Sequence, residues 1–481
     1  MLKRLLFYTL LNKYSLKKSA SYVKIKVNIA NLIDFQGECV MKKVPFRAGV
    51  HPHDGKKLAM DSEIKLIPPC EILNFPLSQH IGAPASATVS VGDKVLVGQK
   101  IADASSFVSS PVYSSVSGTV KSIENRNVVG GRVSKCIVVQ NDFENETVDG
   151  FDTECDYTQL TAEDIVKKIA DAGIVGMGGA GFPTGVKLSP KNTDSIDTVI
   201  INGAECEPYL TSDYRLMLER TECILKGACV VLKIFKNAKA VIAVEDNKPK
   251  AIELLNSMMG SYGDKISVMT VKTRYPQGGE RRLIASVTGR KINSHLLPAD
   301  AGVVVLNIAT TNAIYDAVCR NKPLIHRVVT ITGDGAVNPG NYDVLLGTPA
   351  EYLVEQVGGL KENTVKIISG GPMMGMAMHS LRVPVTKTFS SVLALTDDNV
   401  EQMKTTPCIR CGRCVGVCPE NLVPQLMAAA VNANDYERYE TLGGMECIEC
   451  GCCTYVCPAK RPLTQSFKLA KAEVRATKSK K

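Results

Sequence analysis

Eight cysteines close to the C-terminus repeat one spacing twice. The first run is Cys408-x2-Cys411-x2-Cys414-x3-Cys418-Pro419, and the second is Cys447-x2-Cys450-x2-Cys453-x3-Cys457-Pro458. An iron–sulfur cubane needs four thiolates around a small volume, and runs of this form supply them. Zinc favours paired Cys-x2-Cys units, without a third cysteine or a following Cys-Pro. Cys452 fits neither run and reads as a bystander. The chemistry on offer is one-electron transfer.

Bacterial-type ferredoxins carry the same double run. There the fourth cysteine of each run ligates the other cluster. The resemblance implies one 4Fe–4S cluster on Cys408, Cys411, Cys414 and Cys457, and a second on Cys447, Cys450, Cys453 and Cys418. Crossed ligation keeps the two clusters close, which suits electron hopping.

The second chemical signature is Gly176-Met-Gly178-Gly179-Ala-Gly-Phe182-Pro-Thr-Gly-Val-Lys187. Clustered glycines let backbone N–H groups approach a phosphate with no Cβ in the way. Lys187 can add a charge. This is not the dinucleotide fingerprint, because no acid lies about 20 residues on at the end of a second strand. Three more loops strengthen it. Asn202-Gly-Ala-Glu205-Cys-Glu207-Pro follows the apolar run Thr198–Ile201. The carboxyl end of a strand is where α/β sheets bind ligands. Tyr275-Pro-Gln-Gly278-Gly-Glu280 is a further Gly-containing loop with an acid, and Asn307-Ile-Ala-Thr310 follows Val303–Leu306. Together the four loops can line one crevice.

The elements that must position these loops are legible in outline. Residues 41–145 are β-rich, with alternating stretches at Ala87–Ala102 and Ser110–Lys121 that resemble the halves of a barrel-sandwich hybrid domain. The connecting Asp103–Val108 holds no lysine, so a scaffold role is expected rather than a carrier arm. Residues 158–320 alternate strand and helix signals, as a layered, Rossmann-like α/β sheet requires. Thr161–Gly173 reads as a capped helix. Residues 325–375 resemble a soluble-ligand-binding β-grasp module. An α-helical two-cluster domain spans 395–467, with a helix expected between Asn421 and Tyr439. Met373–Met378 reads as flexible packing. His51 and His53 read as part of a surface turn. The fold class is thus multidomain α/β.

The chain has 481 residues, 17 cysteines, no tryptophan and a formal charge of +9. The charge sits at the ends: residues 1–40 and 468–481 each carry +5. The body is near neutral, so no folded nucleic-acid-binding face is expected. The tails read as solvated segments, or as a contact with an anionic membrane or partner. No apolar run is long enough for a transmembrane helix. Met41-Lys-Lys looks like an ordinary start, and residues 1–40 are expected to be absent from the native protein. Intact mass would decide.

The Gly-rich loop, the Asn-x-x-Glu-x-Glu-Pro loop and the Tyr-x-x-Gly-x-Glu loop resemble the flavin- and NADH-binding site of the 51-kDa subunit of complex I. The full domain order is similar to the C-subunit family of Rnf electron-transport complexes. By that resemblance, Gly176, Gly178, Gly179 and Lys187 would hold the phosphate and ribityl of FMN. Asn202, Tyr275, Gly278, Asn307 and Thr310 would complete the flavin pocket. Phe182, Glu205, Glu207 and Glu280 would face NAD(H), and an acid at the ribose favours NAD over NADP. Ala204 and Gly279 stand where the complex I protein has Asp and Glu. The resemblance implies hydride exchange between NAD and FMN, then one-electron steps through both clusters. It implies integral-membrane and iron–sulfur partner subunits that pump Na+ or H+, an indirect link to ferredoxin, and a peripheral place on the cytoplasmic side of the cell membrane. Two alternatives stay open here: a cobalamin-reductase-like flavoprotein, and a non-catalytic electron wire or assembly subunit.

Overall fold

The computed structural model describes residues 48–479. The basic extension over 1–40 and the expected start at Met41 lie outside the described residues.

Four strands form a wholly parallel sheet: Ile266–Val271, Lys239–Glu245, Thr198–Gly203 and Val303–Asn307, in that spatial order. The apolar runs of the last three are buried on both faces, as parallel strands require, while the edge strand Ile266–Val271 is only partly buried. Helices Thr221–Ile234 and Ile308–Cys319 pack together on one side, and helix Glu280–Thr288 covers the other. The expected helix is present as Ala162–Asp171. Thr161 and Asp164 close a reciprocal capping box, and Gly173 follows at φ +71°. This arrangement brings the carboxyl ends of Thr198–Gly203 and Val303–Asn307 side by side, with Asn202 and Asn307 in register.

The N-terminal β region is two small sheets, one of four strands and one of three, around a core that includes Leu73, Phe75, Ile101 and Ile137. One early strand leaves it. Ile64–Leu66 pairs with Gly340–Leu345 at the edge of a six-stranded sheet built mainly from residues 326–395. That sheet also runs past residue 375, because Ser391–Leu395 inserts between His326–Thr332 and Lys366–Ser369. Neither pairing is local, so neither leaves a sequence signal.

Asp343 anchors this sheet. It pairs with His326 at 2.8 Å and with Arg220, which reaches across from the α/β sheet's helical layer. The two cations hold the Asp343 carboxyl well below the usual range against the opposing pull of burial, and Asp343 holds His326 protonated to higher pH than usual. Asp343→Ala should cost about 2 kcal/mol, because it removes the carboxylate from two half-buried cations. The His326 contribution is full below its unfolded pKa of about 6.5 and fades as pH rises through the raised folded value. Thermal unfolding at matched cofactor content should therefore show the wild-type advantage shrinking above neutral pH; a flat difference would contradict it.

The last domain is helical. The stretch between the cysteine runs holds two helices, Pro424–Asn432 and Tyr436–Thr441, broken at Asn434 with φ +54°. The basic tail is a correction. Leu463–Ser479 is one helix, and Phe467, Ala470 and Val474 pack on the core around Tyr439. Their i, i+3, i+7 spacing puts them on one face, so much of the expected solvated tail is structural. Lys471 is buried, bonded to the Cys447 carbonyl at 2.8 Å and paired with Glu449 at 3.1 Å.

Candidate functional site: a glycine-loop crevice joined to two cysteine cradles

The two cysteine runs fold as copies of one another. Arg410 and Glu449 take φ of +56° and +58°, Gly412 and Gly451 +73° and +83°, Asn421 and Lys460 +55° and +53°. Short helices follow at Arg413–Gly416 and Cys452–Tyr455. In each copy a backbone N–H donates to the first sulfur at 3.4 Å, Arg410 to Cys408 and Glu449 to Cys447. One cavity is lined by Cys408, Cys411, Cys414 and Cys457; a second is lined by Cys447, Cys450, Cys453 and Cys418, with Cys452, outside either run, beside them. Each therefore takes three cysteines from one run and the fourth from the other, the crossed set that a pair of cubanes needs. Among the described residues no group of His, Cys, Asp or Glu converges as a single metal ion would require. A cubane instead needs its thiolates spread around a cavity. The donor sets fit 4Fe–4S clusters.

The Gly-rich loop lies over Asn307. A hydrogen bond from the Gly176 N–H to the Phe182 carbonyl at 2.9 Å closes it. Residues 178–180 are exposed at its tip, and a Cβ on Gly179 would meet nothing within 4 Å. This open run of backbone amides is the feature a phosphate requires. Beneath it, Thr310 Oγ1 accepts from Met177 N at 3.0 Å, and Arg327 donates to the Met177 carbonyl at 2.8 Å. Asn307 caps helix Ile308–Cys319 through its Oδ1 and donates from Nδ2 to Asp213 at 2.6 Å. Asn202 donates to the Gly278 carbonyl at 2.8 Å, clamping the third loop onto its strand. The residues fit a flavin phosphate site, with the backbone and Asn307 as its floor.

Several expected site residues are placed differently. Lys187 does not reach the glycine tip freely: it pairs with Glu280 at 3.0 Å and donates to the Val305 carbonyl. Glu205 is buried, accepting from Asp213 N at 2.8 Å and lying 3.9 Å from Lys56. Glu207 accepts from Met373 N and Met374 N at 2.8 and 2.9 Å. Backbone amides thus hold one oxygen of each carboxylate, while Glu205 Oε2 stays buried without a hydrogen-bond partner. Tyr275 is buried, its hydroxyl donating to the Cys450 carbonyl at 2.7 Å. Phe182 is half-buried beside the loop.

Three residues escaped the sequence reading, Asp213, Arg327 and Lys56, and Met373, expected only as packing, also donates its amide to Glu207. Burial first, then the neighbouring Glu205, push the Asp213 carboxyl well above its usual range. No motif marks these positions: Lys56, Arg327 and Met373 act across domain boundaries, and Asp213 meets Asn307 from 94 residues away in the chain.

Tyr275 leads from the crevice to the clusters. With Val50, Cys450 and Cys452 it forms a buried seam, flanked by Cys206, Met373 and Ile448. Cys452, the supposed bystander, is fully buried there. Helix Glu280–Thr288 ties the seam from outside: Arg281 pairs with Glu420 at 3.2 Å and Glu446 at 2.8 Å, and Arg282 with Glu420 at 3.3 Å. The 447–453 cradle thus faces the flavin loops. Arg281→Ala should leave NADH bleaching of FMN intact and slow the subsequent cluster reduction roughly tenfold or more, by loosening this register. Rapid-scan absorbance resolves the two steps; equal slowing of both would contradict the assignment.

A glycine-loop crevice coupled to a double cysteine cradle defines a flavin-linked iron–sulfur electron-transfer protein. Family comparisons agree. Residues 169–316 match the Nuo51 FMN-binding domain, 44–144 the RnfC barrel sandwich hybrid domain, 328–377 the SLBB domain and 407–460 a 4Fe-4S dicluster domain. The chain is 45% identical to the C subunit of the proton-translocating ferredoxin:NAD(+) oxidoreductase complex of Clostridium ljungdahlii, over 90% of this chain and 94% of that one. It is 40% identical to the Na(+)-translocating counterpart of Acetobacterium woodii, over 92% and 99%. It is 41% identical to the C subunit of the ion-translocating oxidoreductase complex of Rhodobacter capsulatus, over 92% and 85%. The chain belongs to the C-subunit family of Rnf ion-translocating ferredoxin:NAD(+) oxidoreductase complexes. That membership sets aside the cobalamin-reductase-like alternative.

Proposed function

We propose that this chain is the NAD-reactive subunit of an Rnf complex, passing electrons between NAD(H) and a partner through FMN and two 4Fe–4S clusters. FMN, when bound, supplies the exchange between hydride transfer and one-electron steps. The chain's own task is positioning. The glycine tip and Asn307 hold the phosphate end, with Gly176, Gly178 and Gly179 leaving room. Asn202 and Gly278 fix the wall beside it. Phe182 and Glu280 remain at the crevice as contacts for the nicotinamide nucleotide, and release of Lys187 from Glu280 would free both side chains for ligands. The Tyr275–Cys450 seam excludes water between crevice and inner cradle. The single observation that carries the reading is this seam, because it joins a flavin site to a cluster site.

The parallel sheet is read as Rossmann-like, and the 326–395 sheet as a β-grasp module extended by neighbouring strands. Ion translocation is read as the work of partner chains; among the described residues no helix is long and apolar enough to cross a membrane. We assign the protein a peripheral position on the cytoplasmic face, against integral-membrane and iron–sulfur partners. Anaerobic purification with iron, sulfide and flavin quantified, followed by NADH addition, tests the reading. Bleaching of bound FMN by NADH and not by NADPH is expected. A flavin-free protein inert to NADH would leave only an electron wire.

A further inference from the structure

The two cysteine runs share a backbone but not their surroundings. On the inner copy the flavin-domain side covers the loop: a Cβ on Gly451 would lie 2.9 Å from the Met373 carbonyl, and Tyr275 donates to Cys450. On the outer copy, a Cβ on Gly412 would meet nothing within 4 Å, and Cys408 and Cys411 are exposed. Ile409 stands 66% exposed at its centre. Where the inner copy has Glu449, paired with Lys471, the outer copy has Arg410. Arg410 is joined by Lys404, Arg413, Lys460 and Arg461, and none of the five pairs with a carboxylate among the described residues. The flanking sequence holds no acid from Met403 to Pro419 or from Cys457 to Ala472.

We propose that this outer face is the docking surface for an acidic, one-electron iron–sulfur protein, whose carboxylates ring an apolar centre that covers Ile409. The internal repeat supplies the argument. The same loop surface is closed by protein on the inner copy, where it receives electrons, and it is open on the outer copy, where they must leave or enter. Unpaired cations around an exposed apolar residue are the complement of an acidic rim, and they steer encounter at low salt. The proposal rests on the electron path set out above. The step is one electron from the reduced partner to the outer cluster, or the reverse.

The test uses the full holoprotein with a chemically reduced, small acidic two-cluster ferredoxin as probe, and a basic c-type cytochrome as the opposite-charge probe. Cluster absorbance is followed by stopped flow across ionic strength. The wild-type rate with ferredoxin should fall roughly tenfold or more as salt rises. Arg410→Glu/Arg413→Glu should lower the low-salt rate at least about tenfold, flatten the salt dependence and speed the reaction with the cytochrome. FMN bleaching by NADH should be unchanged. If that variant loses iron, Arg410→Gln/Lys460→Gln/Arg461→Gln is read by the same criteria. An unchanged ferredoxin rate and salt slope in an iron-replete variant would overturn the proposal. So would loss of binding to phosphatidylglycerol vesicles with the ferredoxin rate intact, which would make the face a membrane contact. Failure of the NAD reading looks different: NADH would not bleach FMN, while the ferredoxin-to-cluster step would still report docking.

Discussion

Cys418→Ser is expected to abolish the inner cluster while sparing the outer one, although Cys418 lies in the first cysteine run. Its cavity partners are Cys447, Cys450 and Cys453. Cys457→Ser should do the reverse, emptying the outer site lined by Cys408, Cys411 and Cys414. Iron should fall from about eight to about four atoms per chain in each case. The functional consequences should differ. Without the inner cluster, NADH still bleaches FMN, but the outer cluster is cut off and its reduction by NADH should slow by about two orders of magnitude or more, since the transfer distance lengthens. Without the outer cluster, the inner one should still be reduced by NADH and only delivery to a partner should fail. EPR of the NADH-reduced variants separates the two cases. Ligation confined within each run would instead pair the loss from Cys418→Ser with the outer cavity.

Gly178→Val should strip the flavin. A Cβ at Gly178 would sit 2.8 Å from Asn307 Nδ2 and 3.0 Å from its Cβ and Cγ. Asn307 cannot yield, because Oδ1 caps a helix and Nδ2 bonds Asp213. The glycine tip must move, and it carries the exposed amides. FMN affinity should fall about 100-fold, roughly 3 kcal/mol, with both clusters retained. Gly260→Ala, outside the crevice loops, is the matched control, since nothing stands within 4 Å of that Cβ. Flavin fluorescence after gel filtration reads both. Full FMN retention in Gly178→Val would remove the loop from the site.

The sequence showed the chemistry more clearly than the geometry. Metal ligation and phosphate binding both depend on short local spacings, so the cysteine runs and the Gly-rich loop stood out. Three of the four parallel strands also declared themselves, because burial on both faces leaves continuous apolar runs, whereas the edge strand Ile266–Val271 is only partly buried and leaves none. What stayed hidden is long-range. The resemblance placed Glu205 and Glu207 at the nicotinamide nucleotide, but the partners that reach them, Lys56 and the Met373–Met374 amides, come from distant segments. Tyr275 was assigned to the flavin, whereas its hydroxyl engages Cys450. The basic tail read as solvated from its charge, although the apolar spacing of Phe467, Ala470 and Val474 was there to be found. The strands Ile64–Leu66 and Ser391–Leu395 joined a sheet far from their sequence neighbours, which no local pattern encodes.

The central claim is that the crevice and both cradles form one electron path entered through FMN. The most direct measurement is freeze-quench EPR of the anaerobic holoprotein mixed with NADH, beside the same protein depleted of FMN and then reconstituted. The account predicts reduced clusters in the holoprotein, none in the depleted protein though dithionite still reduces it, and full recovery on adding FMN. Cluster reduction by NADH at an undiminished rate without FMN would contradict it.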